Sequence, residues 1–116
     1  MRFASIALLA AVTAACGSSF PPPNDEYSAA QADVGRAEAG GAPVVPDAKL
    51  HLQLSQEDLQ KSKALIDTGE NKRAADLIAV ARVEAQLALS LAKQLQAEEQ
   101  TRKAQADLAK AKGGGQ

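Results

Sequence analysis

One cysteine, one histidine, no tryptophan, one tyrosine and two phenylalanines are all that this 116-residue chain has of those residue types, and each shortage removes a class of function. With Cys16 alone, no internal disulfide can form. His51 has no Cys or second His to complete a zinc site, so neither a metal nor any other cofactor is expected. Past the first residues only Phe20 and Tyr27 are aromatic, too few for a platform on which sugars or bases stack. The formal net charge of -1 argues against nucleic acid as a partner. There is no glycine-rich phosphate loop ending in Lys-Ser or Lys-Thr, and no pair of histidines at helical spacing around a glutamate. The acidic residues that could act as acid or base face Lys or Arg at helical spacing, as Glu57 faces Lys61, and read as solvated helix faces. The chain is expected to be noncatalytic, with no catalytic, metal-binding or cofactor-binding residue.

What the chain does contain begins with a leader pattern. Met1 and Arg2 supply a positive start, Phe3 to Val12 an apolar run, and Thr13, Ala14 and Ala15 small residues directly before Cys16. As a helix, Phe3 to Ala15 would span roughly 20 Å at about 1.5 Å per residue, short of the roughly 30 Å hydrocarbon core of a bilayer. The segment therefore reads as a signal peptide over residues 1–15 in preference to a membrane-spanning helix.

The run Val12-Thr13-Ala14-Ala15-Cys16 resembles the bacterial lipobox, with Thr13 where leucine is most frequent. The resemblance implies that Cys16 carries a diacylglyceryl group and becomes the first residue after cleavage. Two or three acyl chains hold a protein at a membrane persistently where one does not. Gly17, in place of the aspartate that retains such proteins at the inner membrane, implies an outer-membrane address facing the periplasm.

Residues 16–24 follow as the lipidated cysteine and a tether, because Gly17, Ser18, Ser19 and Pro21-Pro22-Pro23 disfavour helix and favour an extended spacer. Residues 25–112 read as a helical domain. Asn24 is placed to cap a first helix, with Asp25 and Glu26 near its positive end, and Tyr27, Ala30, Val34 and Ala37 share one face. Gly40-Gly41 stops it, Ala42 to Pro46 forms a stiff connection, and Pro46-Asp47 starts a second helix that runs to about Asp67. On that helix Leu52, Leu59 and Ile66 recur every seven residues, with Leu50, Leu54 and Leu65 broadening the apolar side. After a return turn at Thr68 to Asn71, a third helix continues toward Lys112 with no internal glycine or proline, its seam marked by Leu77, Ala81, Ala88, Leu91 and Leu95. Beyond Leu95 the only large apolar residue is Leu108, so the end is expected to project and partly fray, supported by Glu98 with Arg102 and Glu99 with Lys103. Residues 113–116 read as a flexible tail.

The fold class is thus all-α: an Ala-rich antiparallel helical hairpin or three-helix bundle with a long C-terminal helix. An Ala-rich first helix, a Pro-containing connection, and a Gly turn before NKRAADLIAVARVEAQLALSLAK resemble the bacterial domain of unknown function 4398 family over Tyr27 to Ala111. That resemblance implies an exported or lipid-anchored helical envelope protein and no activity. The turn DTGENKRAADLIAVA is also similar to a tetratricopeptide junction, but no second copy follows at the required period. The leading expectation is a noncatalytic envelope lipoprotein, held to the membrane through Cys16, whose helices serve self-association or an envelope protein partner. The alternative is a periplasmic module that binds lipid or peptide in a Leu-lined groove.

Overall fold

A computed structural model describes residues 19–115; the signal peptide and Cys16 assignments lie outside the described residues. Three helices pack together: α1 (Asn24–Ala39), α2 (Pro46–Asp67) and α3 (Asn71–Gly113), with one turn of 3-10 helix at Ala42–Val44 and no strand among the described residues. The protein is all-helical, and α3, at 43 residues, is roughly 64 Å long at about 1.5 Å per residue.

The turns follow from local chemistry. Gly41 (φ 95°) and Gly69 (φ 80°) occupy the left-handed region where a side chain is strained. At the end of α2, Glu70 N–H donates to Leu65 O at 2.8 Å and Gly69 N–H to Ile66 O at 3.0 Å, the paired bonds of a Schellman ending. Pro46 opens α2 in the first turn, where its missing N–H leaves no hydrogen bond unmade, and Asp47 lies beside it. At the start of α1 the cap differs from expectation. Asn24 is the first helical residue, Pro23 takes the cap position, and no side chain caps the helix. Pro23 supplies the carbonyl that accepts Tyr27 N–H at 3.0 Å.

Contacts between the helices give their directions. Ser55 and His51 on α2 meet Ala81 and Glu84 on α3, so those two helices are antiparallel. Asp33 meets Arg82, and further along Gly40 meets Gln96, so α1 runs parallel to α3. The core is built of small side chains: Ala74, Ile78, Ala81, Ala85, Ala88 and Ala92 on α3, spaced alternately four and three apart, against Ala48, Leu52, Ser55, Leu59 and Ser62 on α2. Ala30, Val34 and Ala37 bring α1 onto them, and Tyr27, Ile66, Leu89 and Leu91 pack at the margin.

This seam lies to one side of the one expected from the leucines. Ala81 and Ala88 are buried, but Leu77 and Leu91 are half-buried, Leu95 is 37% exposed, and Leu50 and Leu54 are 55% and 38% exposed. The reason is steric: alanine lets the backbones approach where leucine holds them apart, so on α3 the close contact forms on the alanines and Leu77, Leu91 and Leu95 move to the rim, while on α2 Leu52 and Leu59 stay in the core as expected. The C-terminal part of α3 projects as expected, with every residue from 93 to 115 exposed, yet it stays helical through Gly113. The ion pairs expected there are not formed; Glu98 instead accepts a hydrogen bond from Gln94 at 2.9 Å.

Candidate functional site

Cys16, the one site residue expected from the sequence, lies outside the described residues; of the residues after it, those from Phe20 to Pro23 are held in a definite place. Asn71, in the first turn of α3, donates through Nδ2 to Phe20 O at 2.8 Å, and Pro23 is buried. The last part of the tether is therefore fastened beside the turn between α2 and α3. It is not a free spacer over its whole length. Because α3 starts at this point and runs away from it, the tether and the tip of α3 are at opposite ends of the molecule.

The second feature is the uncovered face of the α2–α3 pair, on the side away from α1. Leu65 on α2 lies there beside Leu77 and Val80 on α3, the last 48% exposed. A depression of about 300 Å³ at its upper end is lined by Val45, Pro46, Asp47, Leu91, Gln94, Leu95 and Glu98. A second, of about 320 Å³, is lined by Leu65, Arg73, Asp76, Leu77 and Val80. Both lie open to solvent, as surface grooves flanked by charge.

On the opposite side, α1 is fastened by a carboxylate that sequence reasoning missed. Asp33 is buried and accepts from Arg82 Nε at 2.9 Å and from Arg36 one turn along its own helix. Burial pushes the Asp33 carboxyl up, but the hydrogen bond from Arg82 and the charges of Arg36 and Arg82 outweigh it, and the net displacement is downward. The signal was present: Asp33 interrupts the apolar face of Ala30, Val34 and Ala37. A carboxylate on a core face needs a cation nearby.

His51 sits at the boundary, 27% exposed, with Nδ1 2.5 Å from Glu84 Oε2. An ionised carboxylate only accepts, so Nδ1 carries the proton and donates. Glu57 faces Lys61 as expected, at 4.0 Å, and Lys61 also reaches Asp58 at 3.3 Å. Among the described residues no group of three His, Cys, Asp or Glu side chains is placed to hold a metal ion. No helix among them is long and apolar enough to cross a membrane. Comparison with protein-family models, with curated proteins and with solved structures gives no match in any of the three.

Proposed function

We propose that this chain is a noncatalytic bacterial envelope lipoprotein, anchored by lipid on Cys16 to the outer membrane and acting through its helical surface on protein partners in the periplasm. The observation that carries the reading is the order of residues Met1 to Cys16: a positive start, an apolar run too short to span, small residues, and the only cysteine of the chain. The resemblance to the domain of unknown function 4398 family, as an Ala-rich envelope protein, belongs to the same proposal. The placement of the tether supports it. Phe20 is fastened beside the α2–α3 turn, and α3 carries its exposed end away from that turn.

Intact mass of the protein extracted from membranes, beside that of Cys16→Ser, tests the anchor. The expected result is loss of residues 1–15 and added acyl mass in the wild type only. Retention of residues 1–15 with no added mass rejects it. The apolar depression at Val45, Leu91 and Leu95 favours the alternative of a lipid- or peptide-binding module. Native mass spectrometry of the extracted protein separates the two, since a binding module retains a ligand and an interaction module does not.

A further inference from the structure

The two ends of the molecule differ in how they connect to Cys16. At the α2–α3 end, Phe20 is 47% exposed, and its carbonyl accepts from Asn71 Nδ2 at 2.8 Å. Pro21, Pro22 and Pro23 follow, each with φ fixed by its ring; Pro23 is buried, and Pro22 O accepts from Asn24 N–H at 2.9 Å. From Phe20 into α1 the chain therefore has no slack. Only Gly17, Ser18 and Ser19 stand between Cys16 and Phe20, a reach of at most about 14 Å. Without the bond from Asn71, the run from Cys16 to Asn24 would reach about 28 Å. At the other end, Leu108 lies roughly 56 Å from Asn71 along α3.

We propose that the α2–α3 end is seated on the lipid surface, with the Phe20 ring in the headgroup layer and α3 carried away from it, so that Asn71 sets the orientation of the whole molecule. This seat rests on the lipid anchor proposed for Cys16. The headgroup layer is roughly 5 to 7 Å deep on each side of a bilayer, and a reach of about 14 Å keeps Phe20 within or just above it. An aromatic ring suits that level, where its apolar body meets the acyl boundary.

Charge is balanced at this end. Lys72 pairs with Asp76 at 3.1 Å, Lys63 with Asp67 at 3.5 Å, and Arg73 with Glu70. The cations and carboxylates cancel, so the seat has no net attraction for anionic lipid and depends on the anchor and the ring. A molecule lying flat would need an apolar face along the whole of α3. From residue 93 to 115 the only large apolar residues are Leu95 and Leu108.

The chain has no tryptophan, so single substitutions report on one position each. Full-length Phe20→Trp, Thr68→Trp and Leu108→Trp, extracted with their lipid, are placed in vesicles whose phospholipid is brominated near the headgroup, and intact mass is recorded on the same samples. Thr68 lies in the turn, next to Gly69, which lines the same depression as Phe20. Quenching of Phe20→Trp and Thr68→Trp should be several-fold that of Leu108→Trp, and equal in zwitterionic vesicles and in vesicles with anionic lipid. Equal quenching at all three positions would mean a molecule lying along the surface, and no quenching of Thr68→Trp a bundle held clear of it; either overturns the seat, as does quenching that requires anionic lipid. Asn71→Ala frees the tether and doubles its reach, so it should lower the quenching of Thr68→Trp by about half with helicity retained, and leave that of Phe20→Trp unchanged. An unchanged value at Thr68→Trp overturns the part given to Asn71. Absence of acyl mass would reject the anchor and the seat together, whereas acyl mass with any of the contrary patterns rejects the seat alone.

Discussion

Arg82 Nε donates to Asp33 Oδ2 at 2.9 Å and so ties α3 to α1 across 49 positions of sequence. Asp33 is buried, while Arg82 remains 40% exposed. Removing the arginine leaves a buried carboxylate dependent on Arg36 alone. We expect Arg82→Ala to cost roughly 1 to 2 kcal/mol, toward the low end for a charged hydrogen bond because the guanidinium is partly screened by water. Urea unfolding measures this, and a midpoint equal to that of the wild type would show the bond to be dispensable.

The same pair gives the fold an acid-sensitive component. The folded-state pKa of Asp33 lies below the ordinary carboxylate value. Its contribution is therefore fully present above the unfolded aspartate value of about 3.9 and is lost as pH falls through the lowered folded value. Urea midpoints recorded from pH 5 downward should fall more steeply for the wild type than for Asp33→Asn. Parallel curves would place the acid sensitivity elsewhere.

Two glycines on or beside α1 should respond oppositely to alanine. A Cβ at Gly40 would collide with Leu89 Cδ1, whereas one at Gly35 would meet nothing within 4 Å. Gly40→Ala is expected to destabilise by about 1 to 3 kcal/mol through overpacking. Gly35→Ala, in a regular exposed helical position, should stabilise by about 0.5 to 1 kcal/mol. Thermal melts of the two variants side by side decide it; melting temperatures that move in the same direction would contradict the packing at Gly40.

The core seam can be checked by truncation. Ile78 is among the largest fully buried side chains, and Leu95 is 37% exposed. Ile78→Ala should cost about 2 to 5 kcal/mol, and Leu95→Ala less than about 1 kcal/mol, since much of that leucine already meets water. Equal losses would restore the leucine seam that hydrophobic periodicity alone favours.

The helices and their ends are largely legible in the order of residues. Gly40-Gly41 and Thr68-Gly69 end helices because a left-handed residue terminates the hydrogen-bonded spiral, and Pro46 begins one because its φ is already helical. Asn24 lies one residue inside the helix it is expected to cap, since capping side chains mark the neighbourhood of a helix end more closely than its position. The Asp33–Arg82 pair is half legible: the carboxylate on an apolar face is visible, but its cation lies on another helix, and one sequence does not show which.

Sequence by itself therefore determined the helical class, the turns and the long third helix, because these depend on neighbours along the chain. Tertiary structure decided which stripe of each helix is buried. Periodicity pointed to Leu77, Ala81, Ala88, Leu91 and Leu95 on α3; Ala81 and Ala88 are indeed buried, but Ala85 and Ala92 complete the seam in place of the leucines, and Ser55 Oγ donates to Ala81 O at 2.6 Å. The energy gained by close approach depends on the opposing surfaces together, and no single helix carries that information.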